Sequence, residues 1–259
     1  LKRTVLMLNQ RLCMHKIYFS SSENMADVQD NSVQLMVTSP PYWDLKDYEV
    51  DNQIGYKEDY ETYLGRLFKV WSETFRVLSD SGVAVININT KSFKKELVPI
   101  PFDFVKQMRE IGYKFIDMHY WHKSSGIPRT NNLKDNFEYF LVFSKSENPK
   151  INNTDFFDYK VEKPPKNTNI WNINKKFGSV GKKYLVHPAI FPVEYINRLI
   201  QIFTEEENIV LDPFLGSGTS LIAAMNTNRS FIGFELNKEG YLPMVKDRLL
   251  ENSYNFDEI

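Results

Sequence analysis

The 259-residue chain reads as an α/β protein, a mostly parallel sheet covered by helices on both faces. Three observations predict it. Short runs rich in β-branched and aromatic residues alternate with segments of helical period along most of the chain. One strand, loop, helix and strand unit, running from Ile209 to Glu235, carries Gly216 and Gly218 in its first turn. Hydrophobic residues at 42% and aromatic residues at 14% supply a sizeable core, and the length fits one large domain with a modest insert.

Taken in order, residues 17–19, 34–37, 83–88, 115–121, 139–143, 209–211 and 231–234 are expected to be strands. The clearest helix lies between Asp59 and Leu78. There Tyr60, Tyr63, Leu64, Leu67, Phe68, Trp71, Phe75 and Leu78 recur at three and four, with Asp59 placed to cap the helix and Ser81-Gly82 to end it. Further helices are expected over 102–111, stopped by Gly112, over 193–203, started by Pro192, and over 220–225 and 238–250.

Residues 144–183 break this rhythm, being rich in Asn, Lys and Pro. They read as an insert rather than a linker, because Phe156, Phe157, Tyr159, Ile170 and Trp171 would have something to bury. The expected organisation is therefore one body built from 1–144 and 184–259, with a small insert at 145–183. Charge separates the same segment: seven lysines between 160 and 183 stand against Glu162 alone, +6 in a chain of net −1, which leaves −7 elsewhere. That contrast points to a polyanion, with a solubilising surface as the plainer alternative.

The apolar runs fall short of the ~20 residues that cross a bilayer. No signal-peptide core is seen at the N-terminus, so a soluble, cytoplasmic protein with no membrane partner is expected. Cys13 is the one cysteine, so neither an internal disulfide nor a multi-cysteine zinc site can form, and no metal is expected.

Two stretches carry chemistry. The strand at 34–37 runs into Thr38-Ser39-Pro40-Pro41-Tyr42-Trp43, where consecutive prolines force the backbone out of the sheet as a stiff loop. A Ser hydroxyl, a fixed Pro40 carbonyl and a neighbouring aromatic ring could hold a planar group bearing an NH₂, with two acceptors for its hydrogens and a face for stacking. A strand-ending turn with Tyr42 and Trp43 in the core is the plainer reading. The second stretch is Asp212-Pro213-Phe214-Leu215-Gly216-Ser217-Gly218-Thr219, followed by a helix and a strand ending in Glu235. Glycines let a ligand approach the backbone, the helix start supplies amide donors, and a carboxylate at the second strand's end suits a ribose diol.

Together, Thr38-Ser-Pro-Pro-Tyr-Trp and Asp212-Pro-Phe-Leu-Gly-Ser-Gly-Thr resemble the S-adenosylmethionine-dependent amino-methyltransferases of DNA. The catalytic loop precedes the cofactor loop, as in the circularly permuted β class of that family. Residues 42–55, 60–82, 137–143 and His187-Pro-Ala-Ile-Phe-Pro192 resemble further family segments, so the likeness spans most of 15–250. Ser20-Ser21-Ser22 stand where family members often carry Gly-Asp.

The resemblance implies a Rossmann-like methyltransferase fold with a mostly parallel seven-stranded sheet in permuted motif order, and target recognition in the 145–183 insert. It implies S-adenosylmethionine as cofactor and duplex DNA as partner, with a target base flipped out of the stack. Homodimerisation and an accompanying restriction endonuclease stay open. Ser39, Pro40, Pro41 and Tyr42 are the implied catalytic residues, and Ser39 resembles the cytosine-N4 subgroup. Thr38, Asp212, Pro213, Phe214, Gly216, Ser217, Gly218, Thr219, Glu235 and Leu236 are implied to bind the cofactor. Trp43, Arg129, Lys163, Lys166, Lys175 and Lys176 are the implied DNA contacts; Lys91, Lys94 and Lys95 could meet phosphates or simply be solvated.

An adenine-N6 enzyme of the same class, or a non-catalytic DNA-binding protein on the same scaffold, are the alternatives. Attack at ring carbon 5 of cytosine would need a thiolate, and Cys13 lies outside either stretch, which disfavours carbon methylation. His187 reads as a packing histidine, and Asp44 and Asp47 as solvated loop acids.

Overall fold

Residues 4–10, 13–128, 134–152, 168–173, 192–254 and 257–258 are described by a computed structural model. Along them run β1 (Thr4–Gln10), β2 (Cys13–Phe19), β3 (Val33–Thr38), α1 (Tyr60–Val77), β4 (Leu78–Ile88), β5 (Lys91–Phe93), β6 (Glu96–Val98), α2 (Ile100–Ile111), β7 (Lys114–Pro128) and β8 (Lys134–Ser144). They continue through β9 (Ile170–Asn172), α3 (Val193–Phe203), β10 (Ile209–Asp212), α4 (Thr219–Asn226), β11 (Ser230–Phe234), α5 (Lys238–Glu251) and β12 (Asp257–Glu258). No helix among the described residues is long and apolar enough to cross a membrane.

The main sheet has the order β12-β1-β2-β11-β10-β3-β4-β8-β7-β9. Its centre, β2-β11-β10-β3-β4, is parallel throughout, and β8 runs antiparallel between β4 and β7. These are the seven strands the sequence predicts, and the sheet is a large, mostly parallel one with helices on both faces. Among the described residues it has ten strands rather than seven. β1 and β12 pair antiparallel at one edge, and the three-residue β9 joins β7 in parallel at the other.

Period-two alternation sorts the central strands between two cores. Leu35, Val37, Val83, Val85 and Val210 face Leu199 and Ile200 of α3, Leu221 of α4 and Leu249 of α5. Met36, Ala84, Ile86, Leu211 and Phe234 face Leu67 and Trp71 of α1 with Phe104 and Met108 of α2. Burial on both sides explains why these strands read as near-continuous apolar runs.

The Asp59 side chain caps α1 by accepting from the Thr62 N–H, as its position predicts. The far end differs from the expectation. α1 stops at Val77, Leu78 is already extended, and Ser81 and Gly82 lie inside β4. The extra residues are absorbed by a register shift, Val33 pairing Leu78 while Leu35 pairs Val83. A Cβ on Gly82 would come within 2.8 Å of the Ser79 carbonyl, so the glycine permits that close pass.

Of the described parts of 145–183, β9 joins the main sheet and Asn152 packs at the end of α3. Trp171 of β9 packs on Tyr195 at 4.4 Å between ring centroids, and Trp121 Nε1 donates to the Ile173 carbonyl at 2.8 Å. Asn152 Nδ2 donates to the Gln201 and Thr204 carbonyls at the end of α3. Phe156, Phe157, Tyr159, Lys163, Lys166, Lys175 and Lys176 lie outside the described residues, as do Arg129 and His187.

Candidate active site

Parallel pairing of β10 with β3 brings their carboxyl ends side by side, and with them two loops far apart in sequence. Thr38, the last residue of β3, donates through Oγ1 to Asp212 Oδ1 at 2.6 Å. Asp212, at 1% exposure, also accepts from the Ser220 hydroxyl and from the Phe214 N–H at 3.0 Å. Burial pushes its carboxyl above the ordinary value, and these three donors pull against that shift. The bonds tie the end of β3, the end of β10 and the first turn of α4 into one unit.

After Asp212 the chain turns back through Pro213 and Leu215, both buried, and Phe214, which sets its ring edge-on to Trp71 at 6.3 Å. Leu215 N–H donates to the Phe234 carbonyl at 2.9 Å, pinning the loop to β11. Gly216 and Gly218 have φ of +52° and +84°. A Cβ on Gly218 would press Val245 Cγ2 at 3.3 Å; on Gly216 it would meet only ordinary contacts, the nearest being the Tyr241 ring at 3.9 Å. Ser217 and Thr219 are buried with their hydroxyls turned inward. The Arg248 guanidinium of α5, at 2% exposure, donates to Ser217 O and Oγ at 3.0 Å and to Thr219 Oγ1 at 2.8 Å. The sequence gives no sign of that anchor, since Arg248 lies some thirty residues away.

Glu235 follows β11 and sits beside this loop. Its carboxylate accepts from the Gly216 N–H at 2.9 Å and the Asn237 N–H at 2.8 Å, leaving further acceptor capacity on a half-buried group. Burial pushes it up to about 7, against the pull of those amides. Leu236 is half-buried next to it. Asn237 Nδ2 donates to the Tyr48 carbonyl at 2.8 Å, and Tyr48 packs on Tyr241 and Met244. The segment after the proline loop therefore folds back over the Glu235 side of the site.

In the proline loop Ser39 is half-buried, Pro40 buried and Tyr42 half-buried. Tyr63 of α1 donates its hydroxyl to the Pro41 carbonyl at 2.9 Å, fixing the loop from below. The Tyr42 hydroxyl lies 3.5 Å from Glu138 Oε2, and Glu138 is ion-paired with Lys123 at 2.8 Å. Burial first, and the Glu138 charge second, hold the Tyr42 phenol well above its usual value. Trp43 corrects the expectation of a DNA contact. It is 9% exposed, its ring lies 5.0 Å from Tyr60 and 4.7 Å from Phe93, and its indole N–H donates to the Glu58 carbonyl. Apolar packing and a satisfied N–H make it a core residue. Asp44 and Asp47 are exposed.

The chain's own atoms fit S-adenosylmethionine. Gly216 leaves room for a ligand against the backbone, Glu235 can accept from a diol, and Ser20 Oγ beyond β2 is buried with no partner among the described residues. The proline loop stands at the neighbouring strand end, so a donor in the glycine loop and an amine held by Ser39 and Pro40 would share one edge of the sheet. Cys13 opens β2 at the opposite edge, where burial raises its thiol.

Comparison with known proteins gives the family and the fold. The family model for DNA methylase matches residues 33–246. The type II methyltransferase M.MjaI of Methanocaldococcus jannaschii is 30% identical, over 91% of this chain and 91% of its own. M.XycI of Xanthomonas campestris pv. cyanopsidis is 29% identical, over 86% and 83%. Among solved structures, a DNA modification methylase of Thermus thermophilus, complexed with S-adenosyl-L-methionine, is 28% identical with a TM-score of 0.69, covering 92% of this chain and 93% of that one. The cytosine-N4-specific PvuII DNA methyltransferase shares the fold at a TM-score of 0.75 and 23% identity, over 93% and 88%.

Proposed function

We propose, from the premise that this chain belongs to the DNA methylase family, that it methylates the exocyclic N4 amine of cytosine in a base extruded from duplex DNA. It is a site-specific DNA methyltransferase that uses S-adenosylmethionine. The single observation that carries the site assignment is the Thr38–Asp212 hydrogen bond, because it holds a Ser-Pro-Pro-Tyr loop against a glycine loop that suits the cofactor.

An aromatic amine is a poor nucleophile because its lone pair is delocalised into the ring. When bound, S-adenosylmethionine supplies an activated methyl group on a sulfonium. The Ser39 hydroxyl and Pro40 carbonyl accept hydrogen bonds from the two amine hydrogens, which favours pyramidal nitrogen in the transition state more than planar nitrogen in the ground state, and the methylated nitrogen then gives up one of those hydrogens to solvent as a proton. Pro41, fixed by Tyr63, keeps those acceptors from drifting, and the Tyr42 ring stacks on the base. Glu235 takes the ribose hydroxyls, while Gly216, Phe214 and Leu236 line the cofactor's side. Asp212 and Thr38 act as positioning residues, as do Ser217 and Thr219 through Arg248 and Gly218 through its close approach to Val245. Placing the reacting atoms supplies much of the acceleration, with no strong base needed beforehand.

Ser at position 39 supports cytosine N4 over adenine N6, and the order of the two loops supports the permuted β class. The lysine-rich 145–183 stretch, with Arg129, is the proposed recognition region, and its phosphate contacts offset part of the cost of base extrusion. Single-molecule sequencing of duplex DNA treated with protein and cofactor tests the reading. N4-methylcytosine in one fixed sequence context is the expected outcome. N6-methyladenine in a fixed context would replace the cytosine assignment.

A further inference from the structure

β5 and β6 form a separate two-stranded hairpin that leaves the main sheet immediately after β4, at the edge that carries the proline loop. It is fastened there along its first strand. The Phe93 ring packs on Trp43 at 4.7 Å, and Lys91 Nζ donates to the Trp43 carbonyl at 2.6 Å and to the Asp44 carbonyl. The hairpin's position is thus fixed relative to Pro40, Pro41 and Tyr42.

Its tip is unusual. Phe93 pairs with Glu96, leaving a two-residue loop of Lys94 and Lys95, with φ of +48° and +70°. Two positive values in a two-residue hairpin loop define a type I′ turn, which favours Asn-Gly and penalises long side chains. Two lysines hold this turn against its backbone preference. A departure from turn chemistry points to a use for the side chains. Both are exposed, and among the described residues neither forms an ion pair with a carboxylate; Lys94 Nζ lies over the Phe93 ring at 5.2 Å. Residues 91–98 hold three lysines against Glu96, a local +2 in a chain whose net charge is −1.

We infer that the β5–β6 hairpin is a DNA-backbone contact whose tip, Lys94 and Lys95, meets phosphates of the duplex beside the extruded base. The inference rests on the DNA-methylating reading above. It adds a rigid phosphate anchor mounted on the catalytic loop itself, independent of the lysines in 145–183.

The test pairs two double variants of the full chain, Lys94→Asn with Lys95→Gly, and Lys94→Arg with Lys95→Arg. Affinity for a mixed-sequence DNA duplex is measured across a salt series. The Asn-Gly variant restores the favoured turn, so its melting temperature should hold or rise and its cofactor affinity should stay at the wild-type value. Its DNA affinity should fall several-fold at moderate salt, and the slope of log K against log salt should shrink by about 2, roughly 0.9 for each phosphate no longer neutralised. The Arg-Arg variant should keep the wild-type slope. A folded Asn-Gly variant with unchanged slope and affinity would overturn the hairpin assignment while wild-type methyl transfer to the same DNA stood. A wild type that neither bound nor methylated the duplex would overturn the underlying reading and the hairpin with it.

Discussion

Thr38 Oγ1 donates to Asp212 Oδ1 at 2.6 Å across 174 residues of sequence. Thr38 ends β3 and Asp212 ends β10, so the bond joins the last residue before the proline loop to the first residue of the glycine loop. Both side chains are buried, and Asp212 depends on three donors to offset the cost of its own burial. Removing one donor is therefore felt both in stability and at the site.

Thr38→Val keeps the shape and removes the hydroxyl. It should cost about 1–3 kcal/mol of unfolding free energy, the usual penalty for leaving a buried polar group short of a partner. Urea denaturation measures it. An unchanged midpoint would mean that the bond does not tie the two loops together.

The two glycines of the cofactor loop should respond differently. Gly218→Ala forces a Cβ to 3.3 Å from Val245 at φ of +84°, so the melting temperature should drop. Gly216→Ala meets only ordinary contacts at φ of +52° and should cost about 1–2 kcal/mol of stability, while weakening S-adenosylmethionine at least tenfold. Calorimetry of unfolding and of cofactor binding separates the effects; equal cofactor affinity for wild type and Gly216→Ala would remove the loop from the binding site.

Glu235 gives a pH signature. Its carboxyl is raised to about 7 in the folded chain, so the native state holds a proton that the unfolded state has already released above the ordinary carboxylate range. The stability this contributes is present at low pH and is lost as pH rises through about 7. Hydroxyl donors from a bound ribose favour the charged form, so cofactor binding should tighten and release a proton as pH rises from about 6 to about 8. Glu235→Gln should bind more weakly at the alkaline end of that range and show a flatter profile. Identical profiles for variant and wild type would contradict the assignment.

The proline loop should separate turnover from binding. Ser39→Ala should lower the rate of methyl transfer by about 10²–10³, the range seen when one transition-state hydrogen bond is removed. Tyr42→Ala should lower turnover more than it alters cofactor affinity. Single-turnover transfer from labelled cofactor, with affinity measured in parallel, tests both. A Ser39→Ala enzyme at wild-type rate would take that hydroxyl out of the chemistry.

Much of this was legible in the sequence because parallel strands buried on both faces must be written in apolar runs, and because the two loops follow directly from such strands. The seven central strands and Asp59's cap came from those local signals. Edge elements did not. Among its described side chains β1 buries only Leu6 and Leu8, and β9 is three residues long. Ser81-Gly82 reads as a helix stop in sequence but serves a register shift in β4. The long-range partners were invisible: Arg248 under Ser217 and Thr219, Asn237 on Tyr48, and the Phe93 and Tyr60 rings that make Trp43 a core residue. Pattern reveals what a strand buries, and topology decides which neighbours it meets.

The most direct test of the central claim is the chemical identity of the product. Duplex DNA is incubated with the protein and methyl-labelled S-adenosylmethionine, digested to nucleosides and separated by chromatography. The account predicts label in N4-methylcytosine. Label in N6-methyladenine alone, in 5-methylcytosine, or in no nucleoside would contradict it.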